Sequence, residues 1–281
     1  MRKADLHIHT SRSDDSVLEP EQVFRLAKER GLAAVAVTDH ERVAQIDENK
    51  RLAKRFGVAF LPGIEISSSW QGQLAHVLGF FPTSPAPSFE RYLAETVWKE
   101  RRRVQLFLME RLQQRGMAIT IAEYDAEVKA GGNHVPLYRL MLKKGLLSNF
   151  KDYVDIRAAE NVRYQFPPIP EVAQAVHEAG GIIAVAHPGT AGAPGSVVYK
   201  FDADDIVALA AQGLDGVEVF HFSHSEAQTD YYAQVANRLG LLKTGGSDSH
   251  SSTGPVEEQV GSKYCDWDEV LSYLGQAENT D

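Results

Sequence analysis

The stretch Leu32-Ala33-Ala34-Val35-Ala36-Val37-Thr38-Asp39-His40 is an unbroken apolar run that ends on polar residues. A strand apolar on both faces belongs inside a parallel sheet with helices packed on either side. A helical pattern precedes it. Pro20 opens the segment 20–30, Val23, Phe24 and Ala27 form its apolar side, and Gly31 ends it. The same alternation recurs along the chain. Strand patterns occupy 4–9, 58–66, 74–80, 182–186, 216–220 and 241–245, and helical patterns occupy 47–56, 171–179, 204–212, 228–239 and 267–274. Alternating strands and helices imply a parallel sheet. About seven strands in 281 residues favour a closed barrel, a fold that runs to ~250 residues before insertions.

The rhythm breaks once. Pro82, Pro85 and Pro87 interrupt the chain, and the patterns at 89–115, 121–129 and 137–144 are all helical. The expected architecture is therefore α/β, a distorted (β/α)7 barrel with a helical insertion between the fourth and fifth strands. Residues 1–81 and 167–281 would form the barrel, and 82–166 the insertion, covering the active site.

The formal charge of −9 is unevenly spread: the segment 82–166 carries +4 and the remainder −13. An acidic body argues against long nucleic acid as a partner, because phosphate binding needs a basic face. It can still handle phosphates if metal ions carry the local positive charge. No run approaches the ~18 apolar residues of a membrane helix, and no apolar segment follows Met1, so neither a membrane partner nor an export signal is expected. Cys265 is the single cysteine, which excludes an intramolecular disulfide and fits a reducing cytoplasm. It reads as an ordinary buried residue.

The chemistry is carried by histidines and acids at strand ends. His7 and His9 close the first strand, His40 follows the second, and Glu65 ends the third. His76 lies early in the fourth, His187 follows the fifth, Glu218, His221 and His224 bracket the end of the sixth, and Asp248 and His250 follow the seventh. In a parallel barrel all strand C-termini open on one face, so residues scattered over the chain converge there. His76 reaches that rim only if the fourth strand is antiparallel or irregular. His7 and His9, two apart, share a strand face and can hold one ion together. Imidazole and carboxylate suit Zn, Mn or Fe, and so many ligands suit two or three divalent ions. His177 reads as an ordinary helix residue, and His221 remains open. Arg101, Arg102 and Arg103, like Lys143 and Lys144, read as solvated helix faces.

The ordered pieces Asp5-Leu6-His7-Ile8-His9-Thr10, Ser13-Asp14, Thr38-Asp39-His40, Gly63-Ile64-Glu65, His76, Ala186-His187-Pro188 and Ser247-Asp248-Ser249-His250 resemble the PHP family, the polymerase and histidinol phosphatase hydrolases. The resemblance implies a distorted (β/α)7 barrel and a trinuclear metal centre. His7, His9, Glu65 and Asp248 would hold one ion. Glu65, His76 and His187 would hold a second, with Glu65 as bridge, and Asp14, His40 and His250 a third. The placement of the insertion resembles the small-molecule phosphoesterase branch, which includes nucleotide 3'-phosphatases, 5'–3' exonucleases on short RNA and cyclic-phosphate hydrolases. It implies hydrolysis of a small anionic phosphate ester, with His134, His224 and Arg139 towards the substrate. The chain departs from the family pattern at Asp15, at Gly131-Gly132-Asn133 and at Thr190, positions that bear on the substrate more than on the metals. An amidohydrolase acting on C–N bonds shares the initial His-x-His, but its bridging Lys after the fourth strand has no counterpart here. A non-catalytic metal-binding module would show missing ligands, and none is missing.

Overall fold

The computed structural model describes the chain except for residues 14, 44, 132–133, 191–197, 252, 254, 257–258 and 278–281. The first part of the barrel comprises β1 (Lys3–Asp5), α1 (Pro20–Glu29), β2 (Ala34–Val37), α2 (Ile46–Phe56), β3 (Ala59–Trp70) and β4 (Gln73–Phe80). Helices α3 (Pro87–Leu93), α4 (Lys99–Gln114), α5 (Ile121–Gly131), α6 (Pro136–Lys143) and α7 (Phe150–Ala159) follow, and a π-helical turn at Ala94–Trp98 joins α3 to α4. The barrel resumes with α8 (Ile169–Glu178), β5 (Ile182–Val185), α9 (Ala203–Ala210), β6 (Gly216–His221), α10 (Glu226–Leu239) and β7 (Leu242–Gly246). It ends with β8 (Cys265–Asp266) and α11 (Trp267–Ala277).

The sheet order is β7-β6-β5-β4-β3-β2-β1-β8. Its ends approach each other: Leu6 N–H donates to Gly245 O at 3.0 Å, and Ile8 bridges Ser249 in parallel. Gly246 permits this closure, because a Cβ there would collide with the backbone nitrogen and Cβ of His7 and with the Asp5 carboxylate. The result is the distorted (β/α)7 barrel expected from the strand rhythm, with the helical segment between β4 and β5. β8 is an addition outside that rhythm. Two residues long, it pairs antiparallel with β1.

Alternation of strand faces makes two layers of core. Ala4, Leu6, Ala36, Leu61, Leu78, Phe80, Ala184 and Leu242 meet inside the sheet, where Trp267 and Val270 of α11 join them. Ile64, Ile66, Val77, Ile183, Val185 and Val217 pack with Val172, Val176 and Ile206 of the surrounding helices. Every residue of β2 is buried, as its unbroken apolar run requires. β4 runs antiparallel to both β3 and β5. A two-residue turn makes this possible: Gln71 and Gly72 both take positive φ, 49° and 75°, which tight hairpins demand.

The inserted helices have a core of their own, built from Leu108, Leu112, Tyr124, Leu137, Met141 and Tyr153. α7 is the element that sequence periodicity did not flag. Trp98 and Arg101 are among the residues that tie this layer to the barrel. Trp98 Nε1 donates to Glu41 O at 2.9 Å. Arg101 Nη2 donates to Glu41 Oε1 at 2.8 Å and to Ser67 Oγ at 2.6 Å. Arg101 is thus not on a solvated face, as the arginine run suggested; it is only 4% exposed. Its guanidinium carbon sits 5.1 Å from the Tyr164 ring centre and 5.0 Å from that of Phe166. Arg102 and Arg103 do lie outside, paired with Asp125 and Glu100.

Removing one partner of a buried ion pair strands the other charge, at a cost of about 3–5 kcal/mol. Arg101→Ala is therefore expected to lower unfolding free energy by about that amount. Arg102→Ala, which breaks an exposed pair, should cost about 1 kcal/mol or less. Urea denaturation of the two variants beside the parent tests the contrast.

Candidate metal centre

The parallel strands deliver their C-terminal residues to one rim, and the antiparallel β4 brings His76 there as well. Glu65, 1% exposed, occupies the middle. Its two oxygens divide the surroundings. Oε1 lies 2.9 Å from His76 Nδ1 and 3.1 Å from His187 Nε2. Oε2 lies 3.1 Å from His9 Nε2, 3.4 Å from His7 Nε2 and 3.3 Å from His40 Nδ1. Asp248 Oδ1 completes the group around His7 and His9, at 3.3 and 3.2 Å. His9 Nε2 and His7 Nε2 face each other at 3.2 Å.

A third group forms around Asp15, whose Oδ2 is 3.2 Å from His40 Nε2, 3.5 Å from His250 Nε2 and 3.7 Å from His134 Nε2. Asp14, the carboxylate expected here, lies outside the described residues. Asp15 is its neighbour and the described acid at that position. The geometry therefore gathers donor sets able to hold a metal at His7, His9, Glu65 and Asp248; at Glu65, His76 and His187; and at His9, Asp15, His40 and His250. His7, Glu218 and His221 make a further set, so His221 joins the rim, 3.4 Å from Asp248 Oδ2.

Surrounding hydrogen bonds set which ring nitrogen faces inward. Glu218 Oε1 lies 3.0 Å from His7 Nδ1, while Glu218 Oε2 accepts from the backbone N–H of His187 at 2.6 Å and so fixes that residue's main chain and not its ring. His250 Nδ1 donates to Asp248 O at 2.8 Å, and His9 Nδ1 lies 3.2 Å from Ser13 Oγ. Bonds of this kind hold the opposite nitrogen as a ligand. Asp5 contributes from beneath by accepting from the backbone N–H groups of Ser247 and Gly261, at 3.0 and 2.7 Å. Asp39 grips Thr10 through both its backbone and its hydroxyl.

Backbone strain collects at the same place. Glu41, His187 and Asp248 have φ of 61°, 30° and 50°, a region side-chain-bearing residues rarely adopt. Such residues cost of order 1–3 kcal/mol each and persist where the surroundings over-determine them. Here Glu41 N–H donates to Glu65 O, His187 N–H to Glu218, and Asp248 N–H to His7 O.

The electrostatics follow from packing acids among imidazoles. Burial opposes ionisation of Glu65, but His40, His76 and His7 outweigh it and hold the carboxyl well below its ordinary range. Asp248 is held down likewise by His7, His221 and His9, against its own burial. These acids are charged at neutral pH. His7 Nε2, His9 Nε2, Glu65 Oε2 and Asp248 Oδ1 lie within ligand reach of one another, and a bound cation would replace the positive charge that protonated rings otherwise supply to the acids. Asp15 Oδ1 and His187 Nδ1 have no hydrogen-bond partner among the described residues. The donor set, all nitrogen and oxygen, fits divalent ions.

The three expected substrate-side residues fare differently. His134 arrives on the loop before α6 and stacks on His40, ring centres 4.0 Å apart and planes 2° from parallel. Gln105 of α4 fixes that loop by donating to His134 O and accepting from Leu137 N–H, both at 3.0 Å. Burial, then His40 and Arg101, push the His134 imidazole well below its ordinary value. Arg139 lies near the third group but binds Glu127, donating to its backbone oxygen at 2.5 Å. His224 has both ring nitrogens engaged: Nδ1 donates to Val219 O at 3.0 Å and Nε2 accepts from Gly189 N–H at 3.1 Å. It braces the turn after β5 and does not face the rim with a free nitrogen. His177, exposed, pairs with Asp215 at 2.7 Å, and Cys265 is buried.

Residues 5–215 match the PHP domain family, and the chain belongs to that family. It is 30% identical, over 91% of this chain and 93% of the relative, to a 5'-3' exoribonuclease of Haemophilus influenzae. It is 32% identical, over 90% of this chain and 95% of the relative, to a phosphoribosyl 1,2-cyclic phosphate 1,2-diphosphodiesterase of Eggerthella lenta. A solved structure described as a metal-dependent phosphoesterase from Bifidobacterium adolescentis superposes with a TM-score of 0.79, at 29% identity, over 97% of this chain and 96% of that one.

Two substitutions probe the centre. Glu218→Gln keeps the shape but weakens the hold on His7, and is expected to lower metal affinity about 10–100-fold, read by metal titration. Asp15→Asn should reduce the metal equivalents retained after gel filtration, read by elemental analysis. Unchanged metal content would remove Asp15 from the ligand set.

Proposed function

We propose that this chain is a metal-dependent phosphoesterase that hydrolyses a small phosphate ester, a phosphomonoester or a cyclic or nucleotide phosphodiester. The observation that carries the reading is the convergence of His7, His9, Glu65, His76, His187, Asp248, His40, Asp15 and His250 on one rim. The named activities of its relatives, all on phosphate esters, support it.

Two to three divalent ions (Mn, Fe or Zn) would be held by the groups described, with Glu65 shared between two of them. When bound, such ions supply positive charge to the phosphate and make water acidic enough to attack near neutral pH. The rest falls to the chain. A phosphorus–oxygen bond to water forms, the ester bond breaks, and the departing oxygen takes a proton. His134 is the residue best placed to orient the phosphate, since its ring is buried, clamped on His40 and neutral at physiological pH. His224 acts one layer back, by fixing the loop that carries His187. Arg139 is held beside Glu127 and serves the wall of the site.

The division into a barrel of residues 1–81 and 167–281 with a covering insertion, 82–166, is part of the same reading. The buried Arg101–Glu41 pair and the stacked His134 support it. Among the described residues no helix is long and apolar enough to cross a membrane. The lone buried thiol of Cys265 suits a reducing cytoplasm.

Dialysis against EDTA should abolish phosphate release and lower the melting temperature, because ligands that bind the folded state stabilise it, and Mn should restore both. His9→Ala should lose bound metal and reduce turnover by roughly two orders of magnitude or more. Full activity in that variant would end the metal-centre mechanism.

A further inference from the structure

A cleft of about 430 Å³ lies between the β3–β4 hairpin and the end of α7. That volume is within the ~300–1,000 Å³ typical of small-ligand sites. Gln73 of β4 stands on one wall, and Arg157, Arg163 and Tyr164 stand on the other. None of the metal-centre donors lines it.

Both walls are held in place. On the hairpin side, Asp205 accepts from Trp70 Nε1 at 2.8 Å and from Gln71 Nε2 at 2.9 Å. Ser69 joins the two sides, donating through its N–H to Pro167 O and through its hydroxyl to Phe166 O, both at 2.9 Å. On the insertion side, Asn161 takes a φ of 50°, which asparagine tolerates better than most residues. Val162 N–H donates back to Arg157 O at 3.3 Å. This turn returns Arg163 and Tyr164 to the side of Arg157.

Nearby cations have acid partners: Arg115 pairs with Glu160, Lys151 with Asp155 and Arg103 with Glu100. Arg157 and Arg163 have none among the described residues, and no described acid lines the cleft. The Arg157 guanidinium carbon sits 5.0 Å from the Tyr164 ring centre. Its Nε is buried with no hydrogen-bond partner among the described residues. A buried donor without an acceptor is costly, and two like charges in one cleft repel each other. One bound oxyanion would answer both.

We propose that this cleft binds a small oxyanion, a phosphate- or carboxylate-type group held by Arg157 and Arg163, at a site separate from the metal centre. Guanidinium forks match such oxygens two at a time, and Gln73 adds an amide from the opposite wall. An anion there fastens the end of α7 to the hairpin whose strands carry Glu65 and His76. The site does not depend on the phosphoesterase reading.

The test is hydrogen exchange of the Mn-loaded full-length protein, titrated with sulfate as a tetrahedral oxyanion and with succinate as a carboxylate. Amides of residues 72–75 and 158–164 should exchange severalfold more slowly with at least one of the two. Arg163→Gln and Arg157→Gln should each raise the concentration needed roughly tenfold or more, the size expected for losing a charged hydrogen bond. Arg163 is exposed, so its variant should melt like the parent when no anion is present. Protection by one compound and not the other would support the site and identify the class of its oxyanion. Protection confined to residues 7–10 and 246–250, none at all, or the same protection in both variants would overturn the proposal.

Discussion

The burial of Glu65 among imidazoles is the constraint on which the rest depends. A carboxylate removed from water is costly unless its oxygens are satisfied. Here one oxygen faces His76 and His187, and the other faces His7, His9 and His40. To place five rings around one side chain, the chain must bring together β3, β4 and the segments after β1, β2 and β5. A parallel barrel with one reversed strand achieves this because the side chains arrive from different strand ends and need not share one strand. The strained backbones of Glu41, His187 and Asp248 are local costs of the same convergence. The apolar packing inside and around the sheet offsets them.

The inserted layer is fastened to that rim by charge and by stacking. Arg101 could have been a solvent-facing helix residue. Instead it reaches Glu41 and Ser67, and aromatic rings cover its guanidinium. Glu41 is itself hydrogen-bonded to the Glu65 backbone. The helical layer and the central carboxylate are thus joined through one residue. His134 makes the second connection by stacking on His40. Its loop is held by Gln105, a fully buried amide with no competing partner in water. The insertion is therefore positioned by groups that also shape the centre.

Much of this was legible in the sequence because it depends on periodicity. Buried parallel strands announce themselves as apolar runs, and the ligands fall mostly at the ends of those runs. The position of His76 called for a fourth strand that was antiparallel or irregular, and β4 is antiparallel. What could not be read depends on direction or on pairing across the fold. Asp15 reaches the third group where the resemblance implied Asp14, and nothing local to the sequence distinguishes the two adjacent acids. Arg101 sits in a run of three arginines whose surroundings are fixed only when Phe166 and Tyr164 fold back on them. His224 carries the same ring as the ligands, yet Val219 O and Gly189 N–H occupy both of its nitrogens. Glu218 was visible as a strand acid, but its work, aligning His7 and His187 at once, is defined by two distant residues.

Charge links the centre to the composition of the whole chain. Among the described residues four carboxylates, Asp15, Glu65, Glu218 and Asp248, face histidines that would be neutral as ligands. Without cations such a rim would repel a phosphate, and the barrel's overall acidity would add to the repulsion. Two divalent ions would cancel the four charges, and a third would leave the rim positive. Attraction of an anionic substrate would then be conditional on full loading with metal. The basic balance of residues 82–166 acts at longer range and is screened within roughly 10 Å by salt. Electrostatic choice of a phosphate thus belongs to the rim.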